Sequence, residues 1–346
     1  MAPLPDRGWH GFWSRSHLVR CLAPFGALFA ALARRRHRRH QAGLDGAWRS
    51  PVPVIVLGNL SVGGTGKTPM VIWLVGHLQR RGWRPGVVSR GHGGRRRVEP
   101  MMVTAASDPR QSGDEPLLIA RRTGVPVVVA GDRAAAVRRL LEEDVDIAVS
   151  DDGLQHYRLA RDVEIVMLDG RRGLGNGLCL PAGPLREPSD RLASVDLTVV
   201  TGHDDAGSRH PADHRMLIQA RGMLHTRSVT PLGLEHLPDG PVHAVAGIGN
   251  PEAFFATLEQ LGCEVIRHPY PDHHVFRWQD LDFEEPWPIL MTEKDMMRCL
   301  PDLSAWPAAL RQRCMALVVD AVPEAGWEDA LDGVMSAKGC AMGGRA

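Results

Sequence analysis

Residues 61–68 have the composition of a loop that binds a polyphosphate, with the sequence Ser-Val-Gly-Gly-Thr-Gly-Lys-Thr. Glycines let backbone N–H groups curl around phosphate oxygens. Lys67 would reach the outer phosphates, and the hydroxyl of Thr68 would hold Mg²⁺. The alternative is a glycine-rich turn without a ligand, since Ser61 stands where the usual pattern has glycine. The residues predicted to bind the nucleotide are Ser61, Val62, Gly63, Gly64, Thr65, Gly66, Lys67 and Thr68.

Acidic residues that follow a predicted strand could supply metal ligands to such a loop. The predicted strand of residues 146–150 ends in Asp151-Asp152, the position of a Walker B carboxylate. The alternative is a strand-end turn in which an Asp caps the next helix. Gly113-Asp114-Glu115-Pro116 is a weaker signal, because it also fits a helix start. The candidate magnesium ligands are Thr68, Glu115, Asp151, Asp152 and Gln155.

Lysine is scarce in this chain and occurs only at Lys67, Lys294 and Lys338. A flexible point charge is what a phosphate-binding loop requires of a lysine. Lys294 lies in Thr292-Glu293-Lys294-Asp295, directly after the apolar run of residues 288–291. Two interpretations of this cluster stay open, a ligand site at the carboxyl end of a strand or a helix start capped by Thr292.

Two further loops carry candidate catalytic side chains. Arg186, between Pro184 and Pro188, could steady phosphate charge, or it could be an ordinary surface residue. His273 and His274 are adjacent, so their side chains point in different directions and a metal site built on both is disfavoured. A single histidine that orients a group or transfers a proton fits better. The alternative is a surface loop whose polar groups are satisfied locally.

Strand and helix patterns alternate along the chain, and the glycine loop lies between the first of each. Residues 52–57 predict a buried strand, and Pro69 opens a helix that extends to Arg81. The alternation predicts a doubly wound α/β fold of the P-loop NTPase type with a second, smaller α/β domain. The predicted boundaries are 1–45 for an N-terminal membrane-associating segment, 46–225 for the P-loop domain, 226–335 for the second domain and 336–346 for a disordered tail.

The N-terminal segment combines arginines, aromatic residues and an apolar run, residues 22–33. That run is too short to span a bilayer, which requires about 20 residues. A helix on the membrane surface, with Trp9, Phe12 and Trp13 as anchors and arginines near anionic headgroups, fits better. The alternative is a core helix with a solvated basic face.

Composition excludes several functional classes. The 346 residues carry a formal net charge of +1, which does not suggest a nucleic-acid-binding protein. The six cysteines are scattered without a Cys-x-x-Cys pair, so neither a zinc site nor a disulfide framework is indicated. No obligate protein partner is predicted.

Several motifs together give the chain a family resemblance. The P-loop segment 58–69 is followed by Ser89-Arg90-Gly91-His92-Gly93-Gly94 and Gly113-Asp114-Glu115-Pro116. The remaining motifs are Asp151-Asp152-Gly153-Leu154-Gln155-His156, residues 180–187, Gly249-Asn250-Pro251, Asp272-His273-His274 and Thr292-Glu293-Lys294-Asp295. Their order resembles that of the tetraacyldisaccharide 4'-kinase family of lipid A synthesis. The family usually has Tyr where this chain has His92.

The resemblance implies ATP- and Mg²⁺-dependent phosphorylation of the 4'-hydroxyl of an acylated glucosamine disaccharide 1-phosphate. It implies two α/β domains with the active site between them, on the cytoplasmic face of the inner membrane of a Gram-negative bacterium. It also implies a catalytic Asp–His pair, which maps onto Asp114 and His273. The candidate catalytic residues are therefore Asp114, His273, Lys67 and Arg186.

Two functions of other classes remain as alternatives. A P-loop switch or chaperone docked at the membrane would share the loop, but a guanine-recognition Asn-Lys-x-Asp motif is absent. A membrane-docked scaffold with a vestigial loop would not require the intact Lys67-Thr68 and Asp151-Asp152. A Rossmann oxidoreductase is disfavoured, because the loop ends in Gly-Lys-Thr.

Overall fold

One mixed sheet of twelve strands extends through the part of the chain that the computed structural model describes, which is residue 13 and residues 18–96, 98–202, 214–226 and 232–340. The strands are β1 (Val54–Gly58), β2 (Pro85–Ser89), β3 (Met101–Val103), β4 (Val127–Val129), β5 (Ile147–Asp151), β6 (Val163–Asp169), β7 (Leu197–Thr201), β8 (His214–His225), β9 (Pro241–Ala246), β10 (Glu264–Pro269), β11 (Ile289–Thr292) and β12 (Cys314–Pro323). The helices are α1 (Leu18–Gln41), α2 (Lys67–Arg80), α3 (Pro109–Ser112), α4 (Asp114–Thr123), α5 (Arg133–Leu140), α6 (Pro251–Gln260), α7 (Glu293–Cys299), α8 (Ala308–Arg313) and α9 (Trp327–Ala337).

The sheet contains two sets of parallel strands that meet at an antiparallel pair. The strand order is β10-β9-β11-β12-β8-β7-β6-β1-β5-β2-β4-β3. Strands β8 and β12 run antiparallel, with a register shift between Val318 and Val319, and β3 is antiparallel to β4 at one edge. Strand β8 belongs to the predicted P-loop domain and β12 to the predicted second domain. Because these two strands pair, the hydrogen bonds of the sheet connect the two predicted domains. The division into two domains stays a prediction.

Helices cover both faces of the first parallel set, which confirms the predicted doubly wound α/β fold. All five residues of β1 are buried. Ile55 and Leu57 pack into a cluster that includes residues of α2, whereas Val54 and Val56 pack into a cluster that includes residues of α1 and α5. A strand buried on both faces must be apolar at every position, which is why its sequence is a continuous hydrophobic run.

The observed elements differ from the predicted ones in three places. Helix α2 begins at Lys67, two residues before Pro69, at which the sequence predicts its start, so the lysine itself belongs to the first turn. Strand β8 was not predicted, because its burial follows no regular alternation. The predicted tail is wrong for residues 336–340, since α9 extends to Ala337 and Lys338 Nζ lies 2.7 Å from Asp196 Oδ1. Residues 341–346 lie outside the described part of the chain.

Helix α1 lies against the sheet domain through one face only. Ala30 and Ala33 are buried, and a Cβ added at Gly26 would lie 2.9 Å from the side chain of Ala182. An adjacent side of α1 exposes four large apolar residues, Phe25, Leu28, Phe29 and Leu32. No helix in the described ranges has the length and apolar composition to cross a bilayer.

One of the predicted aromatic anchors has a different role. Trp13 is buried, and its indole N–H donates a hydrogen bond to the carbonyl of Pro181 (3.0 Å). It therefore attaches the segment before α1 to the protein instead of facing lipid. Trp9 and Phe12 lie outside the described residues.

Candidate active site

The glycine loop connects β1 to α2, as the sequence predicts. Gly66 immediately precedes α2 and has a φ of 76°, in the left-handed region that favours glycine. No side chain caps the first turn of this 14-residue helix, so its amides are available to an anion. The hydroxyl of Thr65 is buried without a hydrogen-bond partner. These features fit a loop that closes around phosphate oxygens.

An acidic cluster lies at the carboxyl end of β5, and Asp151 is its buried member. Asp151 is the last residue of the strand and accepts a hydrogen bond from the Ser89 hydroxyl (3.1 Å) at the end of β2. Burial, with the negative charges of Glu115 and Asp152 nearby, raises the pKa of Asp151. An acid whose charge is disfavoured by its neighbours gains stability from a nearby cation. No group of three or more His, Cys, Asp or Glu side chains placed to hold a metal ion is found among the described residues, so the magnesium ligands stay a prediction.

Asp152 is the next residue and is held by two cations. Its φ of 48° is unusual for a residue other than glycine. Arg186 donates to both carboxylate oxygens (2.8 and 3.1 Å), and Lys67 Nζ lies 3.5 Å from Oδ1. Burial alone would raise the pKa of Asp152, but Lys67 and Arg186 hold it well below its usual range. Two predicted site residues, Lys67 and Arg186, therefore contact the carboxylate of a third, Asp152.

Asn59, at the start of the glycine loop, connects further predicted residues. Its side chain is fully buried. Its backbone carbonyl accepts hydrogen bonds from Arg186 (3.2 Å) and from the Gln155 side chain (3.2 Å). The loop and the segments that carry Arg186 and Gln155 are thus fixed relative to one another.

Asp114 and His273 lie on the other side of the acidic cluster. Asp114 begins α4 and is 5% exposed, and its Oδ2 lies 3.5 Å from Nδ1 of His273. His273 has a φ of 60°, and its contact with the Asp114 carboxylate raises its pKa. Burial would raise the pKa of Asp114, but His273 and the positive charge of Arg298 hold it well below its usual range. His274 instead faces Asp280 (3.2 Å), so only one of the two adjacent histidines belongs to the site.

Arg298 is a site residue that sequence reasoning missed. Its Nε donates to Asp114 Oδ2 (2.7 Å), and its Nη1 donates to the carbonyl of Gly247 (2.6 Å) and to Asp295 (2.7 Å). It is 8% exposed. Its only sequence signal was its position six residues after Thr292 in a short charged helix, which does not distinguish a buried arginine from an exposed one.

The structure has the helix start that one interpretation of the Thr292–Asp295 cluster predicts, while the ligand-site interpretation stays a prediction. The Thr292 side chain accepts a hydrogen bond from the Asp295 amide and caps α7. Lys294 forms an ion pair with Glu115, the neighbour of Asp114 on α4. Helix α7 therefore contacts α4 through two ion pairs, Lys294 with Glu115 and Arg298 with Asp114. This contact joins the second parallel set of strands to the site.

His92 extends the site at the position where the family usually has Tyr. Its ring centroid lies 5.3 Å from that of His273, with the rings tilted by 55°. The backbone of His92 also fixes Gly113, because a Cβ there would lie 2.7 Å from the His92 carbonyl. The imidazole of His92 thus stands beside the Asp114–His273 pair.

A cavity of about 440 Å³ opens from the glycine loop toward the second set of strands. Its lining includes Gly64, Thr68, Thr201, Asn250, Phe254 and Lys294. A volume of this size suits a nucleotide-sized ligand, with phosphates at the loop and apolar walls around the rest.

Comparisons with known sequences give a consistent result. The family model for tetraacyldisaccharide-1-P 4'-kinases matches residues 18–336. The tetraacyldisaccharide 4'-kinase of Azotobacter vinelandii is 48% identical over 327 residues, covering 94% of this chain and 95% of the relative. That of Alkalilimnicola ehrlichii is 51% identical over 291 residues, covering 82% of this chain and 84% of the relative.

A solved structure shares the fold. The crystal structure of LpxK from Aquifex aeolicus, in complex with ATP, has a TM-score of 0.78 and 28% sequence identity. The match covers 93% of this chain and 99% of that chain. The similarity therefore extends over both sets of parallel strands.

Proposed function

The chain belongs to the tetraacyldisaccharide 4'-kinase family and is an ATP-dependent kinase of lipid A synthesis; we propose that it transfers the γ-phosphoryl group in the cleft between Lys67 and Asp114. The acceptor is the 4'-hydroxyl of an acylated glucosamine disaccharide 1-phosphate. One observation carries the assignment of the cleft: an ionised buried Asp114, paired with His273, lies beside the acidic cluster that adjoins the glycine loop.

Asp114 has the properties of the group that receives the hydroxyl proton. Its low pKa keeps it ionised at neutral pH, and the contacts with His273 and Arg298 fix its direction. A carboxylate of such low proton affinity is a weak base, so it orients the hydroxyl and accepts the proton late. Placement of the reactants and neutralisation of charge then supply most of the rate enhancement.

Lys67, Arg186 and the first-turn amides of α2 are the groups that would neutralise the phosphates. Lys67 and Arg186 both contact Asp152 in this structure. Their side chains are flexible and reach the mouth of the loop, so a triphosphate can compete with Asp152 for their charges. His273, whose raised pKa favours the imidazolium, adds positive charge near the acceptor hydroxyl.

The acidic cluster fits Mg²⁺ by its chemistry. The groups that would hold the ion are the carboxylates of Asp151, Asp152 and Glu115, the Thr68 hydroxyl and the Gln155 side-chain amide, although three acidic, His or Cys side chains are not gathered at one metal-binding point in the described part of the chain. Hard oxygen ligands and few protein contacts are typical of Mg²⁺ that binds together with phosphates. A Mg²⁺ held by these residues would supply positive charge that offsets the negative charge of the phosphates during transfer.

We further propose that α1 places the enzyme on the lipid surface that holds its substrate, at the cytoplasmic face of the inner membrane. Phe25, Leu28 and Leu32 are 62%, 59% and 56% exposed. Arginines follow this apolar strip in the last turns of the helix. Exposed apolar side chains beside a basic end are the features of a helix that lies in a membrane interface.

The test is phosphoryl transfer from γ-labelled ATP to the acylated disaccharide 1-phosphate in mixed micelles. We expect a product labelled at the 4'-position, dependence on Mg²⁺, and loss of transfer in Asp114→Asn. A matched control is Asp108→Asn, because the Asp108 side chain caps the neighbouring helix α3 by accepting from the Arg110 amide, a bond that Asn can also accept. Labelling at another hydroxyl, or full activity of Asp114→Asn, would refute the assignment.

A further inference from the structure

Tyr157 and Glu187 form a buried pair between helix α1 and two segments of the active site. The Tyr157 hydroxyl donates a hydrogen bond to Glu187 Oε1 (2.8 Å), and the two residues are 5% and 1% exposed. Tyr157 lies two residues after Gln155, and Glu187 directly follows Arg186. The pair therefore lies close in the chain to two candidate site residues, Gln155 and Arg186, and supports the segments that carry them.

The last turns of α1 pack against this pair. The rings of His37 and His40 lie 5.8 and 5.0 Å from the ring of Tyr157. The guanidinium of Arg36 lies 5.3 Å from the same ring, and its Nη2 lies 3.6 Å from Glu187 Oε1. The half of α1 that follows the exposed apolar strip is thus in direct contact with both residues.

The carboxylate of Glu187 is held by charge on its other side as well. Arg191 Nε lies 3.3 Å from Glu187 Oε2, without the geometry of a hydrogen bond. Arg191 donates to both oxygens of Glu164 (2.6 Å each), so its own position is fixed. A buried carboxylate with one strong hydrogen bond and two nearby arginines depends on all of these partners.

On the site side, the two segments meet at the start of the glycine loop. Arg186 and Gln155 both donate to the carbonyl of Asn59, and Arg186 also holds Asp152. The Arg186 amide donates to the Leu60 carbonyl (2.6 Å). Because Glu187 directly follows Arg186 in the chain, a shift of Glu187 would also move the Arg186 guanidinium that contacts Asp152.

We propose that Tyr157 and Glu187 are positioning residues that couple the seating of helix α1, through Arg36, to the placement of Arg186 at the phosphate site. The inference rests on the proposed function, since it gives Arg186 a role in phosphoryl transfer. It means that the helix which docks on lipid also sets the geometry of the reaction. An enzyme whose α1 is displaced binds ATP but transfers its phosphoryl group slowly.

Two conservative variants test the coupling. Glu187→Gln keeps the size of the side chain and removes its charge, and Tyr157→Phe keeps the ring and removes the donor. We expect each to lower kcat about tenfold, the effect of one lost buried hydrogen bond in Tyr157→Phe and of one lost buried charge contact with the arginines in Glu187→Gln, while KM for ATP stays within about twofold. Arg36→Met should show the same defect at the same level of vesicle binding. Thermal unfolding shows whether each variant is folded.

A matched control is available in the same loop. Asp190→Asn removes an acid that pairs with Arg34 of α1 (2.6 Å) but has no contact with Tyr157 among those described. We expect its kcat to equal that of the wild type. An equal loss in Asp190→Asn and Glu187→Gln would show that the attachment of α1 matters in general, and it would overturn the specific route through Glu187.

A double-variant cycle with Arg186→Ala decides whether Glu187 acts through Arg186. If it does, Glu187→Gln should have no further effect on kcat in the Arg186→Ala background. Full multiplication of the two effects would overturn the proposal. Normal activity of Arg186→Ala by itself would refute the role of Arg186 in the proposed function. A normal Glu187→Gln beside a defective Arg186→Ala would refute the coupling alone.

Discussion

Asp114 Oδ2 and His273 Nδ1 lie 3.5 Å apart, although 158 residues separate them in the chain. One is the first residue of α4, and the other lies in the loop after β10 with a left-handed backbone. Arg298 contacts both side chains, at 2.7 Å from Asp114 and 3.5 Å from His273. The three residues form one charge cluster between the two sets of strands, in which Asp114 and Arg298 are buried and His273 is partly exposed.

The first prediction is that Asp114 and His273 act as a unit. Each single substitution by alanine should lower kcat by about 10²–10⁴, and the double variant should be little worse. ATP binding should persist, because Lys67 and Asp152 are untouched. Steady-state kinetics on the three variants measures this. Effects that multiply in the double variant would mean that His273 only shapes the lipid site.

The second prediction concerns Lys67. Lys67→Ala should abolish most phosphoryl transfer without unfolding the protein, because the side chain is half-buried at the loop mouth and its ion pair with Asp152 is long, at 3.5 Å. Thr68→Ala should weaken the response to Mg²⁺. Kinase activity and thermal unfolding are measured together. Near-normal activity of Lys67→Ala would exclude the assigned nucleotide site.

The third prediction concerns Arg298. Arg298→Met should destabilise the protein by about 3–5 kcal/mol, because it leaves the buried carboxylates of Asp114 and Asp295 without their cation. Arg298→Lys should recover part of this stability but not the activity, since one ammonium cannot contact Asp114, Asp295 and the Gly247 carbonyl together. Urea unfolding and kcat separate the two effects. Equal activity of the lysine variant would show that charge alone suffices.

The sequence predicted the parts of the site that are local in the chain. The glycine loop, Lys67, and the acids after β5 follow single strands, so a pattern of a few residues locates them. The Asp114–His273 contact depends on which helix packs against which loop, and only the family resemblance indicated it. The site roles of Arg298 and Asn59 were not predicted for the same reason, because they depend on contacts with residues distant in the chain and not on sequence spacing.

The N-terminal segment shows how burial decides between similar residues. Trp13 and Phe25 are both aromatic and both precede basic residues, yet Trp13 is 7% exposed and Phe25 is 62% exposed. The helical pattern of the sequence indicates which side of the helix Phe25 lies on. It cannot show that Trp13 donates a hydrogen bond to the Pro181 carbonyl. Strand β8 escaped because its stability comes from pairing with β12 and not from its own alternation.

The fourth prediction is a pH dependence of stability. Burial against Tyr157 and the charge of Arg191 lower the pKa of His37 to about 4, from 6.5 in an unfolded chain. The unfolded state therefore binds a proton that the folded state does not, between about pH 6.5 and 4, and stability falls as the pH falls through this window. The free energies of unfolding of the wild type and of His37→Asn, measured with urea, should diverge between pH 7 and 5. The value for the variant should change less with pH than that for the wild type. Parallel curves would mean that His37 is already solvated.

The fifth prediction tests lipid docking by the exposed face of α1. Deletion of residues up to His40 is a poor test, because it would also expose the surface that packs on Ala30 and Ala33. The triple variant Phe25→Ser, Leu28→Ser, Leu32→Ser changes only exposed side chains. Each lost side chain should weaken partition into anionic vesicles by about tenfold, given the transfer free energy of a large apolar residue.

The matched control is Val322→Ser, because Val322 is an exposed apolar residue on β12. Flotation with vesicles gives binding, and ATP affinity shows that the nucleotide site is intact. Undiminished flotation of the triple variant would place the lipid contact elsewhere on the surface.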